Sequence, residues 1–185
     1  MNVIKSRLPG ILILEPKVFG DHRGYFMECY NRQAFEKNGV NYDLVQDNQS
    51  MSAEAGTLRG LHYQINPMAQ TKIVRCLRGA FYDVVVDIRR NSPTFGKWEG
   101  FIISAENQRQ IVVPRGFAHA VCTIAPHTIV FYKVDNTYSP EHERGILWND
   151  SDLNIDWPVT NPVLSDKDKN WPTLKHIETN FDFKE

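Results

Sequence analysis

Short apolar or alternating runs of strand length recur along most of the chain, and they limit its fold more than any other feature. Turn residues such as Arg78-Gly79 and Pro114-Arg115-Gly116 separate the runs, because Gly and Pro supply backbone angles that turns require. Many short strands at regular spacing predict an all-β sandwich or barrel. The runs are Ile11–Leu14, Tyr25–Tyr30, Ile73–Leu77, Phe81–Ile88, Gly100–Ser104, Gln110–Val113, Phe117–Ile124 and Thr128–Val134.

Helical patterns are rare in this sequence. Asn31–Asn38 is predicted to be a helix, since Asn31 is a suitable N-cap and Gly39 provides a left-handed stop. A second short helix is predicted near Asp166–Asn170. From Asp150 onward the chain contains three X-Pro steps, which predict irregular structure that wraps the barrel.

Length and composition indicate a single globular domain spanning residues 1–185. The formal net charge is -1, which gives no electrostatic basis for nucleic-acid binding. Apolar stretches are too short for a membrane span, and the amino terminus lacks a signal-peptide pattern, so a cytoplasmic protein is expected. Cys29, Cys76 and Cys122 are widely spaced and odd in number, which predicts buried reduced thiols.

A histidine, an arginine and a glycine lie close together in the run from Leu58 to Gln64. His62 is either a hydrogen-bonded core histidine or a general base in an anion-binding site. Strict alternation places Arg59 and His62 on opposite faces of the strand. Either Gly60 marks a bulge that redirects one side chain, or Arg59 acts at the end of the strand, and the sequence leaves both open.

Two further side chains alternate in register with apolar neighbours. Lys72 shares a strand face with Val74, so its ammonium group either enters the interior or lies at the rim in water. Tyr132 shares a face with Val130 and is either a core tyrosine or an acid. Tyr138 begins a polar, aromatic loop that could stack against a ring-shaped ligand.

The run from Pro114 to His119 has the spacing of the second cupin motif, which places a histidine inside a β-barrel. A metal cupin should also carry a His-x-His pair and a glutamate in its first motif. Here His62 is followed by Tyr63 and Gln64, and Thr123 replaces the expected asparagine. A catalytic metal normally needs about three protein ligands, so a metal-dependent oxygenase is disfavoured and no metal site is predicted.

Four segments together resemble the dTDP-4-dehydrorhamnose 3,5-epimerase family over nearly the whole chain. They are FGDHRGYFME at residues 19–28, QDNQS at 46–50, LRGLHYQ at 58–64 and LSDKD at 164–168. The resemblance implies a cupin-type jelly roll with a few short helices, and a homodimer. It also implies a dTDP-4-keto-6-deoxy sugar as substrate, whose C3 and C5 hydrogens exchange through enolates without a cofactor.

The resemblance also implies roles for individual residues. His62 matches the family's base and Asp168 the aspartate that orients it. Lys72 matches the lysine that stabilises the enolate oxygen, and Tyr132 the tyrosine that returns a proton on the opposite face. Tyr138 resembles the residue that stacks on thymine. The implied substrate-binding residues are Arg23, Glu28, Asp47, Asn48, Gln49, Arg59, His119, Tyr138, Glu143 and Lys167.

Several alternatives stay open at this point. Lys169 competes with Lys167 for the same role. In the family the amino-terminal strand crosses to the neighbouring subunit, so Arg23 and Glu28 are expected to serve the partner's site. Relatives that invert only C3 or only C5 exist, and a non-catalytic barrel that binds sugar nucleotides is a further alternative.

Overall fold

A computed structural model describes residues 1–183 of the chain, which form an almost entirely β structure with one short α-helix. Two 3-10 helices, Pro140–His142 and Leu174–His176, accompany the helix α1, Arg32–Glu36. The strands are β1 Asn2–Lys5, β2 Leu12–Glu15, β3 Val18–Asp21, β4 Gly24–Met27, β5 Gln46–Ser52, β6 Leu58–Gln64, β7 Lys72–Arg78, β8 Ala80–Asp87, β9 Trp98–Ser104, β10 Gln110–Val113, β11 Phe117–Thr123, β12 Thr128–Val134 and β13 Glu143–Gly145.

The strands form two large antiparallel sheets and a separate hairpin. The six-stranded sheet has the order β1-β2-β10-β7-β12-β5, and the five-stranded sheet has the order β13-β6-β11-β8-β9. Neighbours in each sheet are mostly distant in sequence, as in a jelly roll. The predicted cupin-like, all-β fold is therefore confirmed.

Alternation along the strands directs one apolar set into the space between the two sheets. Val74 and Ile111 of the six-stranded sheet pack there against Phe81 and Val85 of the five-stranded sheet. The interlayer core fills one part of this space, and a cavity occupies another. Because side chains alternate along a strand, every second residue faces the interior, where it belongs to the core or to the cavity wall.

The outer faces of both sheets are also covered. Helix α1 and the segment after it place Phe35 and Val40 over the outside of the six-stranded sheet. The irregular carboxy-terminal segment places Leu153 and Phe181 over the outside of the five-stranded sheet. The prediction that this segment wraps the barrel is confirmed, and it brings residues after 150 close to the cavity.

Two helix predictions had different outcomes. The Asn31 side chain accepts a hydrogen bond from the backbone N–H of Ala34, and Gly39 has a φ of 80°, so the predicted cap and stop of α1 are both present. The second predicted helix, Asp166–Asn170, is wrong, because this segment is only a turn. Its sequence, Asp-Lys-Asp-Lys-Asn, contains three residues of low helix propensity.

The hairpin of β3 and β4 pairs with no other strand of residues 1–183. His22 and Arg23 form its two-residue loop. Its aromatic side chains are strongly exposed, with 71% for Phe26 and 60% for Tyr25. Such an exposed aromatic surface is typical of a protein–protein contact.

Cys76 and Cys122 are buried free thiols, as predicted, whereas Cys29 is only partly buried. Within residues 1–183, no helix is long and apolar enough to cross a membrane.

Candidate active site

A cavity of about 560 Å³ opens between the two sheets. Strands of both sheets and the carboxy-terminal segment contribute to its wall. Of the residues predicted to form the site, the cavity brings together Arg59, His62, Lys72, His119, Tyr132, Lys167 and Asp168. A cavity of this size suits a ligand the size of a sugar nucleotide fragment.

A bulge in β6 gives Arg59 and His62 access to the same cavity. In the pairing of β6 with β11, His62 lies opposite His119 and Arg59 lies opposite Val121, so β6 has one extra residue between these pairs. Gly60 lies within the bulge at φ 136°. The first of the two alternatives for this strand, a bulge at the glycine, is therefore confirmed.

Gly60 is required at the bulge for a steric reason as well. A Cβ atom built on it would lie 2.4 Å from the Cβ and 2.6 Å from the Cα of Ala120. Only glycine lets the two strands approach this closely.

His62 and Asp168 form a close pair at the cavity wall. Nε2 of His62 lies 2.5 Å from Oδ1 of Asp168, and the aspartate side chain is only 4% exposed. Burial by itself raises the pKa of Asp168, but hydrogen bonds from His62, Ser165 and Trp171 outweigh it and hold the pKa below its ordinary value. The carboxylate is therefore charged at neutral pH and fixes the ring with Nδ1 as its free nitrogen.

Lys72 and Tyr132 lie on the other sheet, on β7 and β12. Nζ of Lys72 is 6.0 Å from the centroid of the Tyr132 ring. Burial lowers the pKa of Lys72 to about 8, although the charges of Glu143 and Asp83 act in the opposite direction. Burial also raises the pKa of Tyr132, so its phenol keeps the proton at neutral pH.

Three side chains form a hydrogen-bonded group at the rim. The hydroxyl of Tyr138 donates to Glu143 at 2.8 Å, and Nζ of Lys167 contacts both carboxylate oxygens of Glu143 at 2.8 and 2.9 Å. The Tyr138 side chain is 53% exposed, so its ring is free to contact a ligand. Lys169 instead pairs with Asp166 and does not line the cavity, which favours Lys167 for the predicted role.

His119 is buried beside a carboxylate of the five-stranded sheet. Its Nε2 lies 2.8 Å from Oδ2 of Asp83, and the Asp83 side chain is 0% exposed. Arg59 is more exposed and donates to the hydroxyl of Ser52 at 3.3 Å. The cavity therefore has a fixed histidine in its interior and a guanidinium at its opening.

Seven of the predicted binding residues do not line this cavity, and two of them, Tyr138 and Glu143, belong to the group at its rim. Arg23 is ion-paired with Asp21 at the hairpin tip, and Glu28 accepts a hydrogen bond from Asn31. On β5, Asp47 pairs with Lys133, Gln49 is exposed and Asn48 accepts a hydrogen bond from Gln46.

The cavity also contains polar residues that were not predicted. Ser50, Ser52 and Thr57 line the wall near Arg59, and Ser165 lies beside Asp168. The polar alternation of β5, with Ser50 and Ser52 two residues apart, was the available signal for the first pair. Among residues 1–183, no three His, Cys, Asp or Glu side chains form a metal-binding group.

The fold and the site together define a cupin-like β protein whose interior cavity carries acid–base groups. The sequence model for dTDP-4-dehydrorhamnose 3,5-epimerase matches residues 5–176. The chain belongs to this family.

Individual relatives agree with the family assignment. A dTDP-4-dehydrorhamnose 3,5-epimerase of Shigella flexneri is 57% identical over 171 residues, covering 92% of this chain and 94% of the relative. The Bacillus anthracis enzyme, solved with TDP and PPi bound, is 56% identical with a TM-score of 0.91, covering 93% of this chain and 98% of that one. A Legionella pneumophila dTDP-6-deoxy-D-glucose-3,5-epimerase, in complex with dTDP-4-keto-L-rhamnose, is 41% identical with a TM-score of 0.94, covering 100% and 99%.

Proposed function

We propose that this protein is a cofactor-independent isomerase that inverts C3 and C5 of dTDP-4-keto-6-deoxy-glucose to give dTDP-4-keto-L-rhamnose, a step of dTDP-L-rhamnose biosynthesis. The observation that carries the mechanism is the 2.5 Å contact between His62 and the buried Asp168 at the cavity wall. This contact gives a histidine the orientation and the charge partner that a general base requires.

In the first step, Nδ1 of His62 removes the hydrogen from a carbon next to the C4 ketone. The electron pair of the broken C–H bond forms a double bond to C4, and the π electrons of the ketone move to its oxygen, which gives an enolate. The imidazole becomes positively charged as it takes the proton, and the adjacent carboxylate of Asp168 stabilises that charge. The ketone makes both C3 and C5 hydrogens acidic, so one base can serve both carbons in turn, because His62 releases its proton to solvent and Tyr132 regains one from solvent between the two inversions.

Lys72 stabilises the enolate oxygen. Its ammonium group lies in the cavity on the sheet opposite His62, where little water competes with it. A preorganised cation in such a place contributes most when negative charge develops, which is in the transition state. The lowered pKa of about 8 reflects the burial that makes this electrostatic effect strong.

Tyr132 returns a proton to the carbon on the opposite face of the ring. Inversion requires this, since return of the proton from His62 would restore the starting configuration. The tyrosine and the histidine lie on opposite sheets with the cavity between them, an arrangement that supports reaction on two faces. The raised pKa of Tyr132 keeps the phenol protonated before the transfer.

Binding of the nucleotide is assigned to the opening of the cavity. Tyr138 stacks on thymine, while Arg59 contacts the diphosphate and Glu143 and Lys167 orient the substrate. His119 contacts the sugar inside the cavity. Asp47, Asn48 and Gln49 remain proposed substrate-binding residues on β5.

The proposal includes a single domain that works as a homodimer in the cytoplasm. In it, Arg23 and Glu28 bind substrate in the cavity of the partner subunit. The β3–β4 hairpin supports this arrangement, because it exposes Phe19, Tyr25 and Phe26 and pairs with no other strand of residues 1–183.

Hydrogen exchange tests the proposed reaction directly. The purified, chelator-treated protein is incubated with dTDP-4-keto-6-deoxy-glucose in deuterium oxide, and the sugar hydrogens are followed by proton NMR. Loss of both the C3 and C5 signals with formation of the inverted sugar is expected. Exchange at one carbon would identify a single-centre epimerase, no exchange despite nucleotide binding would identify a binding barrel, and activity lost with chelation would identify a metal enzyme.

Variants connect that reaction to the proposed base. His62→Ala should abolish exchange, and Asp168→Ala should lower it strongly but leave residual activity, because the imidazole remains without its charge partner. Unimpaired turnover by folded His62→Ala would refute the mechanism.

A further inference from the structure

Asp168 receives hydrogen bonds from more than its catalytic partner. The Ser165 hydroxyl donates to Oδ2 of Asp168 at 2.9 Å, and the indole N–H of Trp171 donates to Oδ1 at 3.3 Å. Oδ1 is the oxygen that also contacts His62. The backbone N–H of Asp168 itself donates to the Ser165 hydroxyl at 3.1 Å. The carboxylate is therefore held at both oxygens by groups other than the histidine.

Trp171 has a closely fitted position behind this pair. A Cβ atom added to Gly145 would lie 2.5 Å from the indole ring, so only glycine leaves room for it. Gly145 is the register partner of His62 across β13 and β6. The Trp171 ring meets the His62 ring edge to face, with centroids 6.0 Å apart. The tryptophan thus contacts both members of the pair at once.

Neither donor takes part in the steps of the proposed reaction. Trp171 does not line the cavity, so it contacts the reacting atoms only through Asp168 and His62. Ser165 lines the cavity, but its hydroxyl is already committed to Asp168. We propose that Ser165 and Trp171 are positioning residues. They hold the Asp168 carboxylate in the orientation at which it aligns the His62 ring and stabilises its positive charge. This inference rests on the proposed function.

The two donors act on the charge of Asp168 as well as on its direction. Burial alone would raise the pKa of this carboxyl, and the donated hydrogen bonds oppose that effect. The other charged groups around the pair are Lys167 in the same segment and Glu143 on β13. Lys167 and Glu143 pair with each other at 2.8 Å, and the hydrogen bonds that lower the pKa of Asp168 come from His62, Ser165 and Trp171.

Substitutions that remove one donor at a time test the inference. Trp171→Phe keeps an aromatic ring but removes the N–H, and Ser165→Ala removes the hydroxyl. In each variant kcat should fall about tenfold while KM stays within about twofold, since a hydrogen bond to a charged group is lost outside the ligand contact. Ser165→Thr keeps the hydroxyl and should restore kcat. Trp98→Phe is the matched control, because its indole N–H donates to the Leu153 carbonyl.

A second readout needs no substrate. The titration of the Asp168 carboxyl carbon is followed by NMR over about pH 2 to 7, with Asp168→Asn used for assignment. Loss of a donor raises the pKa of Asp168, so the midpoint should move to higher pH in Trp171→Phe and Ser165→Ala. It should not move in Ser165→Thr or Trp98→Phe.

The two readouts separate this inference from the proposed function. Unmoved midpoints in both folded variants would overturn the positioning role, whatever the activity. A moved midpoint in a protein that exchanges no sugar hydrogen would refute the epimerase and leave the positioning role in place. An increase in KM with unchanged kcat would assign the residues to ligand binding and would also overturn the inference.

Discussion

At the scale of single residues, Lys72 and Tyr132 owe their proposed roles to their surroundings. A lysine in water holds its proton far above neutral pH and is strongly hydrated, so its charge contributes little to catalysis. In the cavity, burial lowers the pKa of Lys72 to about 8 and raises the pKa of Tyr132. The same loss of water therefore makes one side chain a poorly solvated cation and keeps the other a proton donor.

The pH dependence of kcat/KM should report the charge of Lys72. As the pH rises through about 8, the protonated fraction of Lys72 falls, and the enolate loses its cation. Tyr132 titrates above its ordinary value and does not account for a change near this pH. A decline above about pH 8 is therefore expected in initial-rate measurements.

Substitution of Lys72 checks the assignment of that decline. In Lys72→Arg the guanidinium stays charged, so the decline near pH 8 should disappear. The rate should be lower, because the planar guanidinium places its charge at a different position from the lysine ammonium group. Lys72→Gln should lose about 10²–10³ in kcat below about pH 8, where the wild-type lysine is charged, and should show no decline near that pH. An unchanged basic limb in Lys72→Arg would contradict the role of the lysine charge.

Tyr132→Phe should separate proton removal from inversion. The base is intact in this variant, so hydrogen on the substrate carbon should still exchange with deuterium, while inversion at one centre is blocked because the donor on the opposite face is missing. Proton NMR in deuterium oxide measures both. Tyr63→Phe is the control, since its hydroxyl bonds the Glu178 carbonyl away from the cavity. Normal inversion by Tyr132→Phe would exclude the tyrosine as donor.

At the scale of secondary-structure elements, the bulge in β6 controls which residues share the cavity. Regular alternation would place Arg59 and His62 on opposite faces, and the extra residue at Gly60 brings both to one side. The sequence contained Gly60 and showed that regular alternation conflicts with a shared site for Arg59 and His62. It did not decide between a bulge and a position of Arg59 at the strand end. The deciding quantity, the distance of Gly60 from Ala120 on β11, depends on tertiary pairing and is absent from local sequence.

Gly60→Ala should destabilise the protein more than an ordinary glycine substitution. The new Cβ would lie 2.6 Å from the Cα of Ala120, and alanine would have to adopt the positive φ of Gly60, which is strained for it. Together these two effects cost about 2 kcal/mol or more in the free energy of unfolding. Gly39→Ala is the control, since Gly39 has a positive φ but no atom within 4 Å. Urea unfolding curves compare the two, and equal losses would show that the close approach is unimportant.

Two errors of the sequence prediction are explained by their position next to the cavity. β5 reads QDNQSMS and carries few apolar residues, yet it is a strand of seven residues. Its inward residues Ser50 and Ser52 line the cavity and not the apolar core, so no apolar alternation marked them. The segment Asp166–Asn170 was predicted to be a short helix but forms a turn that contains Asp168. Both errors occur beside the candidate site, where side chains are selected for contacts other than packing.

At the scale of the whole molecule, the proposed dimer explains why several residues carried over from the family lie away from the cavity. Arg23 is at the tip of a hairpin whose aromatic residues are exposed. A symmetric dimer in which each hairpin reaches the partner's cavity would cover this surface and complete both sites. The sequence resemblance implied this arrangement. In the proposed dimer each cavity combines residues of two chains, so one chain alone does not complete it.

Mixed dimers test whether Arg23 acts on the partner subunit. Arg23→Ala and His62→Ala should each be nearly inactive alone. After unfolding and refolding together, a mixed dimer contains one site with both wild-type groups, so about a quarter of wild-type activity should return in an equal mixture. Sedimentation establishes the dimer. Absence of any recovery in verified mixed dimers would place Arg23 in its own chain's site.

The His62–Asp168 contact joins residues 106 positions apart in the sequence. During synthesis, the strand that carries the histidine leaves the ribosome long before the segment that supplies the aspartate. In the proposed mechanism, an unfinished chain therefore has a histidine without its charge partner and deprotonates sugars poorly. Full activity therefore requires that the carboxy-terminal segment has been synthesised and that Asp168 has docked beside His62.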